Sequence, residues 1–376
     1  MPQTLRIVAP EEMGLSAPRW EQVLEFAQNL CATGTLPGLS FQVQQAGCTP
    51  GPSCFGTARL QAHHPVQPDI LFLVASLTKP VVAMAVLHLV EQGRISLNQR
   101  VGDFFPAWPD PAKRLMTIRH LLTHTSGLPD QLPHNLELRR QHAPLSEFVA
   151  GAIETPLHFP VGRGVQYQSM GYALLSPIIE AASGQPFQTF LREQLFLPWG
   201  MLDTFAGLDP TCPGNLTVAE VRVPAEQIGG EDWNWNSPYW QSLGAPWGGL
   251  LSTAEDLTRF LDVMLQPETQ FPAVLSRASI DEATANRLHD FPGVSDVDRR
   301  TRGWGLGWRL NWKEHRHTFC DLLPAQVCGH WGATGTLMWM DRARQRAFVA
   351  LSTQPVQDHE ASLIQLSNLI AAAWMN

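Results

Sequence analysis

The chain is predicted to be an α+β protein, on three observations. Runs with strand character lie towards the two ends, at Gly38 to Gln45, Gly305 to Trp312, Gly335 to Met340 and Ala347 to Thr353. Helix-period patterns dominate the long interval between them, and the size suits either one large α/β unit or two interleaved subdomains: 376 residues, 44% hydrophobic and 16% charged.

Taken in order, residues 18 to 33 carry an amphipathic helical pattern, and Gly38 to Gln45 alternates apolar and polar residues as a half-buried strand does. Ser76 to Gln92 reads as a helix. Ser76 stands near its start, Pro80 is close enough to the first turn to be tolerated, and Gly93 is a stop signal. From there to about residue 295, helical patterns are broken by Pro- and Gly-rich loops such as Phe105 to Pro111 and Thr211 to Gly214. Near the carboxyl end the character changes to strands. Gly335 to Met340 and Ala347 to Thr353 are joined through Asp341 to Arg346 as an antiparallel hairpin, and Ala361 to Trp374 closes the chain as a helix with one apolar face. No internal repeat is present, which sets solenoids and propellers aside.

Composition excludes several classes of function. A formal charge of -8 without any Lys/Arg cluster offers nothing to neutralise a phosphate backbone, so no nucleic-acid partner is expected. The first residues, MPQTLRIVAPEEMGLS, lack the apolar run of a secretory signal, and Val81 to Val90 is too short to span a bilayer. The expectation is a soluble, cytoplasmic protein without membrane association. Six cysteines, Cys31, Cys48, Cys54, Cys212, Cys320 and Cys328, form no C-x-x-C and are read as buried free thiols. Nothing in the sequence fixes the oligomeric state.

Lysine is scarce: Lys79, Lys113 and Lys313 are the whole set, and Lys79 follows Ser76 by three residues at a helix start. Positions i and i+3 share a helix face with Cβ atoms about 5–6 Å apart, so a hydroxyl and an amine can exchange a proton there. The free N–H groups of the helix amino terminus favour negative charge developing nearby. By itself an S-x-x-K tetrapeptide is a weak signal. Tyrosine is as scarce as lysine, and Tyr167 lies in GVQYQSMGYALLSPIIEAASG, between a glycine-rich turn and a helix. Downstream, GHWGATGT occupies residues 329 to 336.

These segments, with IRHLLTHTSGL at 118 to 128 and WGGLLSTAEDLTRFL at 247 to 261, resemble the serine β-lactamase and penicillin-binding-protein superfamily. Class C β-lactamases and family VIII carboxylesterases are nearest in pattern, and the resemblance runs from about residue 10 to 375. It implies an antiparallel sheet built from both chain ends and flanked by the terminal helices, with residues 1–75 and 296–376 forming the sheet subdomain, 76–295 a mainly helical subdomain, and the site at their junction. It also makes Ser76 the acylated nucleophile, Lys79 its immediate partner and Tyr167 the counterpart of the tyrosine in Y-x-N. His330, Trp331 and Gly332 would take the K-T-G position, and the backbone N–H groups of Ser76 and Ala333 the oxyanion hole.

Two departures from the pattern bear on the substrate. Ser169 stands where many β-lactamases carry an Asn that contacts the substrate, and His330 replaces a lysine that meets its carboxylate. A neutral ester needs no such fixed charge. His330 can still become cationic at mildly acidic pH. Which of Lys79 and Tyr167 accepts the serine proton stays open at this stage, because both titrate near pH 10 when free, while burial lowers a lysine and raises a tyrosine.

Other candidates are read as structural. His120 and His124 share a helical segment without carboxylates at ligand spacing, so helix packing is expected and no metal; no cofactor is implied either. His63 and His64 are expected to face solvent, while Asp130, Glu231 and Asp232 are taken as loop or capping groups. No G-x-S-x-G occurs, which removes an α/β-hydrolase nucleophile. The cluster Trp233, Trp235, Tyr239, Trp240 and Trp247 is either loop packing over the core or a hydrophobic wall around substrate, with Trp240 and Trp247 as the candidate contacts. The expected activity is acyl transfer through Ser76 on a small-molecule ester or amide, first as a carboxylesterase. The alternatives are a β-lactamase or D-amino-acid peptidase, and a non-catalytic binding scaffold.

Overall fold

Residues from opposite ends of the chain meet at the centre of the sheet. Strand β2 (Gly38–Gln45) runs antiparallel to β10 (Arg346–Ser352), in register from Leu39 opposite Ser352 to Gln45 opposite Arg346. The computed structural model describes residues 5–62, 64–106, 108, 111–208, 216–267 and 274–375. Beyond β10 come β9 (Thr336–Asp341), β8 (Cys328–Gly332) and the short β7 (Arg309–Leu310); on the other side of β2 lie β3 (Cys48–Thr49) and β1 (Arg6–Ile7), while β4 (Ser53–Gly56) also pairs with β2. All pairs are antiparallel except β1 with β3, which is parallel.

Helices cover both faces of this sheet. On one face Ala17–Ala32 packs against Val356–Ala373 over a core that includes Trp20, Val23, Phe41, Trp339, Phe348 and Leu366. The other face of β2 and β10 carries the helix Ala254–Leu265. Consequently the alternation expected for a half-buried β2 is misleading, since its polar positions are buried as well: Ser40 is 2%, Gln42 1% and Gln44 0% exposed. Their partners lie within reach, as buried polar groups require. Gln44 Nε2 donates to Asp262 on the covering helix, and Gln42 Nε2 donates to Thr49 Oγ1 at 2.9 Å.

Between the two chain ends lies the helical part, centred on Thr78–Glu91. Every residue from Thr78 to Leu87 is buried, which is the signature of a helix packed on all sides. It contacts the helix Met170–Ser183, itself buried along Met170 to Ser176. A two-stranded ribbon that the sequence pattern did not reveal, β5 (Phe72–Leu73) with β6 (Leu251–Ser252), ties the start of the central helix to the segment before Ala254.

The strand expected at Gly305 to Trp312 shrinks to Arg309–Leu310. Gly307 adopts a left-handed φ of 79° and presses against the central helix, where a Cβ would come 2.4 Å from Ala83 Cβ and 3.2 Å from the Lys79 carbonyl. The terminal helix begins at Val356, five residues before the expected Ala361. Among the described cysteines, Cys320 and Cys328 are buried but Cys31, Cys48 and Cys54 are partly exposed, correcting the reading of all as buried; all five are free thiols, and Cys212 lies outside the described residues. Part of the Phe105 to Pro111 loop, all of Thr211 to Gly214, and His63 also lie outside them, whereas His64 is exposed. No helix among the described residues is long and apolar enough to cross a membrane.

Candidate active site

Ser76 sits in a 3-10 turn, Ala75–Leu77, that leads into the central helix; the helix proper begins two residues after it, at Thr78. The preceding Ala75 has φ 48°, a left-handed conformation that costs a non-glycine residue about 1–2 kcal/mol. The surroundings hold it there from two directions. Val74 N donates to the Leu250 carbonyl at 3.0 Å, and Thr78 Oγ1 donates to the Ala75 carbonyl at 2.6 Å while accepting from Leu250 N at 3.1 Å. From the sheet, Thr334 Oγ1 donates to the Leu73 carbonyl at 2.6 Å and Thr336 Oγ1 to the Val74 carbonyl at 2.8 Å.

Three side chains converge on this turn. Tyr167 Oη donates to Ser76 Oγ at 2.6 Å, and Lys79 Nζ lies 3.1 Å from the same oxygen. Lys79 is fully buried, and its Nζ also donates to the Trp247 carbonyl at 2.8 Å and to Ser169 Oγ at 3.2 Å. Ser169 spends its own proton on Asp130 Oδ1, 2.6 Å away, so its oxygen is left to accept from the lysine. Asp130, read from sequence as a loop or capping group, therefore stands in the hydrogen-bonded shell of the site. Ser169 is turned towards Lys79 and Asp130 while it lines the cavity.

Three acceptors surround Lys79 Nζ, namely Ser76 Oγ, Ser169 Oγ and the Trp247 carbonyl, a set that an ammonium with three N–H donors satisfies. A neutral amine has two N–H donors and one lone pair. In that form the Trp247 carbonyl and Ser169 Oγ take the two donors and the lone pair is left for the Ser76 O–H, while the Ser76 oxygen accepts from Tyr167. Burial favours the neutral amine. It pulls Lys79 down to about 7, although the Asp130 carboxylate acts to raise it, and it pushes the Tyr167 phenol well above its ordinary range. The Ser76 hydroxyl thus faces an amine that burial brings down to about 7 and a phenol that keeps its proton.

His124 holds Tyr167 in place. Its backbone carbonyl accepts from Gln166 N at 3.0 Å and its Nδ1 from Gln168 N at 3.1 Å, so both neighbours of Tyr167 are tied to one residue. The imidazole lies against the phenol with centroids 4.9 Å apart, and Trp304 packs edge-on to it at 4.2 Å. His124 lies outside the helix Ile118–Leu122, at a left-handed φ of 60°, and burial together with Lys79 holds it neutral. His120 bonds Thr117 through Nδ1, 2.7 Å from Thr117 Oγ1, and burial keeps it down to about 4. No group of three or more His, Cys, Asp and Glu side chains placed to hold a metal ion occurs among the described residues.

Strand β8 divides the expected K-T-G counterpart between two environments. His330 is 3% exposed, behind Tyr167 and Trp304, with Nδ1 donating to the Trp331 carbonyl at 2.6 Å. Burial and the nearby Lys79 hold its pKa well below the ordinary histidine value. His330, expected among the substrate-binding residues and as a group that can become cationic at mildly acidic pH, is thus held neutral and lies outside the cavity lining. Trp331 points to the opposite face, into the core under the terminal helices, its indole donating to the His317 carbonyl at 3.2 Å, so it makes no part of the cavity wall. At Gly332 a Cβ would fall 2.0 Å from Thr336 Oγ1 and 2.5 Å from the Val74 carbonyl, which explains glycine there. Ala333 is exposed and lines the cavity with Ser76; among the described residues neither backbone N–H enters a turn or loop hydrogen bond.

That cavity measures about 230 Å³, and Trp235, Trp240 and Trp247 supply its aromatic wall. Trp233 and Tyr239 do not reach it. Trp233 stacks under Arg139 and Arg140, and Tyr239 donates to the Ala143 carbonyl at 2.8 Å. Asp232 pairs with His142 at 3.2 Å, away from the cavity.

Comparison with known proteins points to one family. The Beta-lactamase family model matches residues 25–372. The chain is similar to Penicillin-binding protein 4 of Amycolatopsis lactamdurans, 30% identical over 72% of this chain and 68% of the relative. Esterase EstB of Burkholderia gladioli is likewise 30% identical, over 67% of this chain and 69% of EstB. Among solved structures, a penicillin-binding protein homologue from Caulobacter crescentus superposes with a TM-score of 0.76 at 22% identity, covering 96% of this chain and 99% of the other.

Proposed function

This chain belongs to the beta-lactamase family and is a serine hydrolase, and on that premise we propose that it is a carboxylesterase acting on small esters through Ser76, with Lys79 as proton acceptor. One observation carries the reading: Tyr167 Oη at 2.6 Å and Lys79 Nζ at 3.1 Å from the same Ser76 oxygen. The Ser76 proton passes to Lys79 as Oγ attacks the ester carbonyl, and the oxyanion accepts from the N–H groups of Ser76 and Ala333. Collapse of the tetrahedral intermediate breaks the ester C–O bond, and the departing alkoxide takes up a proton held by the Lys79 and Tyr167 pair. Water then attacks the acyl-enzyme and gives a proton to the same pair, the bond between Ser76 Oγ and the acyl carbon breaks, and Oγ takes that proton back as the acid leaves.

Two features favour a small ester over a β-lactam. A cavity of about 230 Å³ lies below the roughly 300–1,000 Å³ typical of drug-sized ligands. His330, neutral and buried, supplies no charge where the superfamily meets a drug carboxylate. Five free thiols among the described residues suit a reducing, cytoplasmic compartment. The test is a fluorophosphonate probe, with nitrophenyl esters, nitrocefin and D-alanyl peptides assayed side by side. Labelling that vanishes in Ser76→Ala, ester turnover that falls at least about 10³-fold in that variant, and slower turnover of nitrocefin and peptides are expected. Labelling that persists in Ser76→Ala refutes the assignment.

A further inference from the structure

Arg139, from the short helix Asn135–Arg140, stands in the wall of the same cavity and is 4% exposed. Its guanidinium lies 4.2 Å from the ring centroid of Trp240 and 5.4 Å from that of Trp233, which clamp it in place. Nη2 donates twice, to Gln227 Oε1 and to the Trp233 carbonyl, both at 3.1 Å. Both acceptors are neutral. Nε is buried without a hydrogen-bond partner, and among the described residues no carboxylate comes within ion-pairing distance of the guanidinium.

Such a cation is costly where it stands. Taking a guanidinium out of water is offset by a counter-charge in contact or by complete hydrogen bonding, and among the described residues Arg139 has neither. Burial pulls it down to about 10, so it remains charged at neutral pH. Two carboxylates line the same cavity, and neither forms an ion pair with Arg139, although Glu226 favours its charged form from a distance. Asp130 accepts from Ser169 and acts on Lys79, while Glu226 is exposed at the rim. The missing partner is an acceptor that arrives in the cavity, and the planar, multiply donating guanidinium suits a carboxylate.

We propose that Arg139 is a specificity-determining residue that binds a carboxylate on the substrate, so that the preferred esters are those carrying a free carboxylate, such as monoesters of short dicarboxylic acids. This rests on the esterase reading above and names its substrate class.

The test compares kcat/KM within two pairs of esters after subtraction of spontaneous hydrolysis. 4-Nitrophenyl hydrogen succinate against its neutral succinamate places the carboxylate on the acyl part; 4-acetoxybenzoate against 4-acetoxybenzamide places it on the alcohol part. The native enzyme is expected to favour the anionic member of at least one pair by tenfold or more. Arg139→Gln should bring that ratio to one or below, and Arg139→Lys should keep part of it. A purely structural Arg139 would lower both members of a pair equally and leave the ratio unchanged, which overturns the proposal, as does a native ratio of one or less in both pairs. If Arg139→Gln fails to fold, glutarate and its diamide are compared as competitive inhibitors of the native enzyme, and equal inhibition overturns the proposal. Absence of turnover for all four esters, with no fluorophosphonate labelling, refutes the esterase reading itself and this inference with it; turnover without charge preference refutes this inference alone.

Discussion

Replacing Asp130 by Asn moves the acid limb of the pH–rate profile to lower pH. Only the neutral amine of Lys79 can accept the Ser76 proton, so kcat/KM in the native enzyme rises as pH climbs through about 7 and is lost below it. Hydrogen bonds of 3.2 and 2.6 Å in series, through Ser169 Oγ, place Asp130 Oδ1 within about 6 Å of Lys79 Nζ. At that separation a carboxylate stabilises the ammonium by about 2–3 kcal/mol at an effective dielectric constant near 20, equivalent to about two pK units. Solvent in the cavity reduces the effect, so the expected displacement is on the order of one to two units. Asparagine can still accept from Ser169, which keeps the geometry and removes only the charge. Initial rates on a neutral nitrophenyl ester from pH 4 to 9, in buffers of constant ionic strength, read the midpoint directly. A midpoint that stays in place or moves upward shows that Lys79 is not the titrating acceptor.

Three further substitutions test the surroundings. Tyr167→Phe removes the 2.6 Å donor to Ser76 Oγ and lowers kcat by about 10²- to 10³-fold with a much smaller change in KM; steady-state kinetics showing less than a tenfold loss would remove Tyr167 from proton transfer. His124→Leu leaves the buried Gln168 N–H without its acceptor, a penalty of about 1–3 kcal/mol, so thermal denaturation shifts down by several degrees and kcat falls more than KM rises. His124→Asn, which tolerates the left-handed backbone and offers an acceptor, recovers part of both, and no recovery would count against the positioning role. Gly332→Ala drives a Cβ towards the Val74 carbonyl and displaces the turn that carries Ser76, so fluorophosphonate labelling slows by tenfold or more; labelling at the native rate would show that the turn is less tightly held than its contacts indicate.

Much of the site was legible because its core is local or rare in sequence. Ser76 and Lys79 are one helical turn apart, and Tyr167 is one of three tyrosines, so few pairings were available. Strand β2 matched its expected bounds, and the β9 to β10 hairpin differed by a residue at its ends, since short connections and alternating patterns are local signals. What escaped notice depends on distant approach. Asp130 acquires its role only because Ser169, 39 residues away, is brought to it. Arg139 reads as one more helical cation until Trp240 is laid across it. For His330 the residue type was plain, but its charge state is set by burial, which no single stretch of sequence records.

The hydroxyls of Thr334 and Thr336, bonded to the carbonyls of Leu73 and Val74, carry a consequence for biosynthesis. They belong to a part of the chain translated about 260 residues after the nucleophile, and β2 must wait still longer for β10. A nascent polypeptide can hold Ser76, Lys79 and Tyr167 well before the ribosome finishes, yet the turn bearing the serine lacks half of its anchorage until the final strands emerge. The geometry around Ser76 is thus complete only once the carboxyl-terminal strands have joined the sheet, and contacts of such sequence separation are the kind that slow folding.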